Sequence, residues 1–178
     1  MNPLKIIEKY YQKNTPLYEI LISHSVSVAQ TALQIIENKQ LDIDKNFVQE
    51  SAMLHDIGIF LTNAPSIYCF GTHNYIEHGY LGAEILRTEN LPKHALVCER
   101  HTGTGLTIQD IIDNEFPLPQ RDMQPISIEE QLICYADLFF SKTNFNEEET
   151  IKKVRQKVAA WGQNSIEKFE HWVNIFGV

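Results

Sequence analysis

The stretch Leu54-His55-Asp56-Ile57-Gly58 places an adjacent histidine and aspartate at the end of an apolar segment. Upstream of it, Phe47, Ser51 and Leu54 recur at intervals of three or four residues, which predicts a helix. Gly58 stands where a C-cap glycine would end that helix. The pattern therefore predicts a helix whose last turn carries two strongly polar side chains among apolar neighbours.

Helical periodicity continues on both sides of this stretch, and no convincing alternating strand is present. Ser127 and Glu130 have the spacing of a capping box that opens a late helix. Segments 60–74 and 102–125 look irregular, and long loops in compact domains often carry function. We predict an all-α helical bundle. Its other helices are expected from about Pro16, over 80–87 and 93–101, and over 147–161 and 163–176.

Size and composition narrow the class of protein. The chain has 178 residues and a formal charge of -8, which predicts one domain over residues 1–178 and argues against binding to long nucleic acid. No apolar run is long enough to span a bilayer, so we expect no membrane partner. Cys69, Cys98 and Cys134 do not form a disulfide framework, and a reducing cytoplasm is the expected location.

Several acidic and imidazole side chains fall on faces predicted to be buried. His24 lies on the apolar stripe of its helix with Leu21 and Val28, and Asp137 lies on a stripe with Ile133. A buried carboxylate costs several kcal/mol without a partner. Lys142, the nearest cationic residue, lies more than one turn beyond Asp137. A metal would satisfy all these groups, whereas a single histidine among them could be an ordinary hydrogen-bonded core residue.

The series His24, His55-Asp56-Ile57-Gly58, and Asp137 in Tyr135-Ala136-Asp137 resembles the HD superfamily of metal-dependent phosphohydrolases. Residues 54–58 match its HDIG subgroup, and the resemblance covers about residues 17–143. It implies an HD-domain bundle with a metal site in its core, followed by C-terminal helices over 147–176. It also implies that His24, His55, Asp56 and Asp137 bind a divalent metal.

Members of the superfamily with two metals add histidines between the doublet and the final aspartate. By that resemblance His78 and His101 bind a second metal, with Asp56 bridging and water activated by the metals as nucleophile. Asp56, His78 and His101 are thus the expected catalytic residues. The ligand set suits iron, manganese, zinc, nickel or cobalt better than calcium.

The expected substrate is a small phosphorylated molecule, with a nucleotide as the favoured class. The glutamate of single-metal nucleotidases and the Gly-Tyr-Pro motif of cyclic-dinucleotide phosphodiesterases are absent. His101-Thr102-Gly103 and Ala136-Asp137 look like the diadenosine-tetraphosphate hydrolases of the superfamily. Candidate substrate-binding residues are Arg121, Arg100, Thr102 and Lys142, although either arginine could instead form a surface salt bridge.

Two other functions stay open at this point. The chain could be a non-catalytic HD module that binds a nucleotide and signals, or a di-iron oxygenase of the same architecture. Six intact ligand positions argue against the first. A homodimer is left open as the oligomeric state, and His73, His94 and His171 are expected to have structural roles.

Overall fold

The computed structural model describes residues 1–143 and 148–177. Its elements confirm the predicted all-α class, with only a two-residue antiparallel strand pair in addition. In chain order they are α1 Pro3–Tyr10, α2 Pro16–Lys39, α3 Lys45–Leu54, β1 Asn63–Ala64, β2 Cys69–Phe70, α4 His78–Thr88, α5 Pro92–Arg100, α6 Ile108–Asp113, α7 Ile128–Asp137, α8 Ile151–Ala159 and α9 Gln163–Phe176.

Local chemistry explains where the longest helix begins and ends. The Thr15 side chain accepts a hydrogen bond from the Tyr18 N–H, and Pro16 occupies the first turn, where its missing N–H is not needed. Gln40 ends α2 in the left-handed conformation. The predicted start at Pro16 is thus confirmed. Helices α4 and α5 also follow the prediction, each beginning one or two residues earlier than expected.

Four details of the sequence prediction were wrong. Helix α3 ends at Leu54, and Gly58 has ordinary right-handed angles. Glu130 does not complete a capping box with Ser127, because its carboxylate accepts from the Ile126 N–H and pairs with Arg100. The segment 102–125 contains α6, and 60–74 contains β1 and β2. The expected helix over 147–161 begins only at Ile151, and Glu147 lies outside the described residues.

Two apolar clusters form the core. The larger joins α2, α3, α7, α8 and α9 around buried residues such as Val28, Leu132 and Phe169. The smaller joins α1, α4, α5, the first half of α2 and the end of α3 around residues such as Leu21 and Leu54. His24 lies on α2 between Leu21 and Val28, so its side chain sits where the two clusters meet. None of the helices in residues 1–143 and 148–177 is both long enough and apolar enough to cross a membrane.

Candidate metal centre

Six histidine and aspartate side chains come together from five places in the chain. His24 lies within α2, whereas the other five lie at helix ends: His55 and Asp56 directly after α3, His78 first in α4, His101 directly after α5, and Asp137 last in α7. They form two groups in which all ligand atoms lie within 4.8 Å of one another, namely His24, His55, Asp56 and Asp137, and Asp56, His78 and His101. Either buried group could hold a divalent metal.

The two carboxylate oxygens of Asp56 face different groups. Oδ2 lies 3.1 Å from both the His24 Nε2 and the His55 Nε2. Oδ1 lies 3.4 Å from both the His78 Nε2 and the His101 Nε2. Asp137 Oδ1 completes the first group at 2.9 Å from His24 Nε2. A carboxylate arranged in this way can bind one cation with each oxygen.

Three of the imidazoles are held in the tautomer that leaves Nε2 free to bind a metal. The Nδ1 atoms of His55, His78 and His101 lie 2.6–2.7 Å from the backbone carbonyl three residues earlier in each case. A carbonyl can only accept, so Nδ1 carries the hydrogen and the neutral ring keeps a lone pair on Nε2. For His55 and His101 the acceptor belongs to the last turn of α3 or α5, where carbonyls lack helical partners.

This arrangement leaves lone pairs facing each other. The Nε2 atoms of His78 and His101 are 3.0 Å apart, and neither can donate when both Nδ1 atoms are protonated. Asp56 Oδ1 and Asp137 Oδ1 are buried without a hydrogen-bond donor, and Asp56 Oδ2 is paired only with the Lys142 ammonium. Unsatisfied buried acceptors are costly, and a divalent cation in each group would satisfy them together. The donor set of imidazoles and carboxylates therefore fits a transition metal or zinc.

The electrostatic environment differs between the groups. Burial opposes a charge on His55, but the Asp56 and Asp137 carboxylates outweigh it and raise its pKa to about 10. Burial, assisted by the neighbouring His101, lowers the pKa of His78 to about 3. Burial alone would raise the pKa of the Asp56 carboxyl, yet Lys142 and His55 hold it well below its usual range. The first group contains both carboxylates and has Lys142 beside it, whereas the second contains only the shared Asp56 carboxylate.

Lys142 reaches the centre itself. Its ammonium lies 2.6 Å from Asp56 Oδ2, and its pKa is raised by the Asp56 charge although burial acts to lower it. The sequence prediction placed this residue more than a turn from Asp137 and at most at the pocket mouth. The prediction missed the contact because the chain turns back after α7, which a helical projection cannot show.

Both arginines have carboxylate partners on neighbouring elements. Arg100 lies 3.0 Å from Glu130 Oε2, and Arg121 pairs with the buried Glu99 while its guanidinium lies over the Tyr80 ring. These contacts correspond to the salt-bridge alternative that the sequence left open for both arginines.

The other residues considered from the sequence are Thr102 and three histidines. Thr102 directly follows His101 and belongs to a turn closed by a hydrogen bond from the Gly105 N–H to the Thr102 carbonyl. His73 lies near Glu77 and His94 near Glu50, away from the six residues. His171 is an exposed residue of α9.

Tyr75 was not predicted as part of the site. Its ring stacks on His78 with centroids 4.7 Å apart, and burial raises its pKa to about 12. Its position three residues before His78 was the available signal, because its carbonyl accepts from that imidazole.

Comparisons with known proteins agree with this geometry. Residues 21–140 match the HD domain family. A Methanocaldococcus jannaschii protein, named Uncharacterized protein MJ0778, is 34% identical over 145 residues, covering 79% of this chain and 78% of its own. No solved structure is significantly similar.

Two longer relatives carry the same region within a larger chain. The tRNA (cytidine(56)-2'-O)-methyltransferases of Picrophilus torridus and Thermoplasma volcanium are 32% and 31% identical, over 67% and 69% of this chain. The matches span only 31% and 32% of those enzymes, so this chain corresponds to about a third of each. All six clustered side chains lie inside the matched range of residues 21–140. The chain belongs to the HD domain family.

Proposed function

We propose that this protein is a metal-dependent phosphohydrolase that cleaves a nucleotide or a related phosphoester and uses two divalent metals. The observation that carries the proposal is the shared carboxylate of Asp56, with one oxygen facing each ligand group. Two cations held at such a spacing are the arrangement that phosphoester hydrolysis exploits. The HD domain family and the buried ligand groups support a metal-dependent hydrolase in general, and the phosphoester is the finer proposal.

The metals would supply Lewis-acid activation of the phosphoryl group and a water of lowered pKa. The protein's own residues do the positioning. Carbonyls at the helix ends fix the imidazole rings, so the ligand atoms need little rearrangement before a cation binds. Burial of Asp56, His55 and His101 keeps bulk water away from these atoms. Charge interactions are stronger in such an environment than in water.

We propose Lys142 and Thr102 as the substrate-binding residues. The Lys142 ammonium already lies next to Asp56, and an ammonium there can donate to a phosphate oxygen. Thr102 directly follows His101, and a Cβ on Gly79 would lie 3.2 Å from its hydroxyl oxygen and 3.5 Å from the His101 Cε1. The ion pairs of Arg100 and Arg121 with glutamates make both arginines weaker candidates.

The test begins with elemental analysis of protein purified without chelator. Hydrolysis is then measured with Mn²⁺, as inorganic phosphate from phosphomonoesters and as nucleotide products from phosphodiesters and dinucleoside polyphosphates, while oxygen uptake is followed in parallel. The panel includes nucleotides phosphorylated on the ribose 2' or 3' oxygen, because two relatives are named as enzymes acting on tRNA.

We expect two metals per chain and hydrolysis of a phosphoester that Asp56→Ala abolishes. Metal-loaded protein that hydrolyses nothing would favour a non-catalytic binding module. Oxygen uptake without phosphoester hydrolysis would indicate an oxygenase instead.

A further inference from the structure

A cleft of about 420 Å³ lies beside the second ligand group and contains none of the six ligands. Two of its lining residues are close in sequence to members of that group. Ile76 lies two residues before His78, and Thr102 directly follows His101. The position of a Cβ on Gly79 is 3.2 Å from the Thr102 Oγ1 and 3.5 Å from the His101 Cε1. The Thr102 hydroxyl therefore marks where the cleft meets the candidate metal centre.

An aromatic side chain forms one wall of the cleft. Trp161, at the turn between α8 and α9, is 47% exposed, which is unusual for an indole. A Cβ on Gly103 would lie 3.3 Å from its ring, so the Gly103 backbone covers part of the indole. Gly103 has φ +61, which favours glycine. Ile76, Leu106 and Phe116 add further apolar surface.

Polar groups on the same lining accept hydrogen bonds. Asn114 uses its side-chain N–H to donate to the Asp110 carbonyl, which leaves its Oδ1 as an acceptor. The Asp110 carboxylate accepts from the Thr107 N–H and hydroxyl and carries a negative charge. That charge repels a phosphate, whereas an amino group on an aromatic ring can donate a hydrogen bond to the carboxylate. An occupant would thus place its anionic end toward Thr102 and its ring toward Trp161.

We propose that this cleft binds the base of a nucleotide, with an amino-bearing base such as adenine against Trp161 and the phosphate directed past Thr102 to the ligand groups. Base–aromatic stacking is worth about 1–3 kcal/mol and tolerates several bases, which matches an exposed indole with few polar contacts. The placement of the phosphate at the ligand groups rests on the proposed function. The binding of the base can be tested without hydrolysis.

The first experiment measures binding of adenosine, which has no phosphate to release, by calorimetry on the full chain with Mn²⁺. Trp161→Ala should weaken this binding at least about fivefold, the lower end for loss of one stack, and Trp161→Phe should restore most of it. Phe70→Ala removes another exposed aromatic ring, on β2, and should change nothing. Circular dichroism of each variant verifies folding.

The second experiment compares AMP with ribose 5-phosphate as substrates. Wild type should have the lower KM for AMP, and Trp161→Ala should raise the KM for AMP by at least about fivefold while leaving that for ribose 5-phosphate unchanged. Adenosine binding that Trp161→Ala weakens, without hydrolysis of any phosphoester, would support the base site and contradict the proposed function. Hydrolysis with equal KM values, unaffected by Trp161→Ala, would overturn the base site alone.

Discussion

Asp56 is the residue on which both ligand groups depend. It is fully buried, and its two oxygens are oriented toward different sets of imidazoles. A single neutral substitution therefore acts on both groups, whereas a histidine substitution acts on one. The difference between these two kinds of substitution in their effect on metal content distinguishes a shared ligand from an ordinary buried aspartate.

Asp56→Asn should remove both metals, because the amide keeps the shape of the side chain but not its charge or its two equivalent oxygens. We expect metal affinity to fall by more than the roughly 10–100-fold that loss of a supporting partner costs. Elemental analysis after dialysis checks this. Asp113→Asn, on the exposed end of α6, is the control, and full metal occupancy in Asp56→Asn would contradict the shared-ligand assignment.

His78→Ala and His101→Ala should each lower the metal content toward one per chain. Both histidines belong only to the second group, so the four residues of the first group stay intact. Titration with Co²⁺, followed by its absorption spectrum, gives the stoichiometry. His94→Ala serves as the matched control, since His94 contacts Glu50 rather than the centre. An unchanged stoichiometry of two would exclude these histidines as ligands.

Lys142 supplies positive charge to Asp56 when no cation does. Lys142→Met should destabilise chelator-treated protein by about 3 kcal/mol, because it leaves a buried carboxylate without its ion pair. Metal-loaded protein should lose less, since the metals provide the compensating charge. Urea unfolding with and without chelator measures both values, with the exposed Lys153→Met as control. Equal losses in the two forms would show that the ammonium does not substitute for metal.

At the level of the helices, the centre is built from their ends. Five of the six clustered side chains lie at the first or last residue of a helix or within two residues after one, where backbone carbonyls are free to hold an imidazole. The chain also has to bring the turn after α3 close to α4. Gly58 permits this, because a Cβ there would overlap the His78 carbonyl oxygen and lie 2.5 Å from the Gly82 nitrogen.

Gly58→Ala should therefore destabilise the protein by about 1–3 kcal/mol, as overpacking at a rigid backbone contact does, and should weaken metal binding. The overlap is with backbone atoms of α4, and one of them is the carbonyl oxygen of His78 itself. Thermal unfolding and elemental analysis measure the two effects. Lys153→Ala, at an exposed position of α8, controls for substitution by alanine, and a stable variant with full metal content would contradict the close contact.

For the molecule as a whole, the ligand groups connect the two apolar clusters. His24 separates Leu21 from Val28 on one helix, so a bound metal would cross-link elements from both clusters. We propose that residues 1–178 form one HD domain, since α9 contributes Phe169, Trp172 and Phe176 to the same cluster as α2 and α7. A single cooperative unfolding transition is expected from this arrangement.

Removal of metal should lower the unfolding temperature by about 5–10 °C. A ligand present at about 100 times its Kd stabilises the folded state by about 2.7 kcal/mol, and each kcal/mol corresponds to about 2–4 °C for a chain of this size. Calorimetry before and after chelation, followed by re-addition of Mn²⁺, tests this. Asp56→Asn should show no response to the chelator, and a wild-type protein without response would argue against metals linking the clusters.

The sequence alone determined the helical class, the HD resemblance and the identity of the six clustered residues. Apolar periodicity places side chains on a face, so it revealed that His24 and Asp137 point inward among apolar neighbours. Periodicity also located α2, α4, α5 and α9 to within about two residues. These are properties of single helices, so residues that are close together in the sequence are enough to determine them.

How the clustered side chains divide into two groups, and which other residues contact them, depends on the tertiary fold. The orientation of the Asp56 oxygens, the Lys142 contact and the ion pairs of Arg100 and Arg121 depend on where loops return. The role of Gly58 depends on a helix twenty residues later in the chain. Such contacts join residues distant in sequence, and local patterns carry no information about the distances between them.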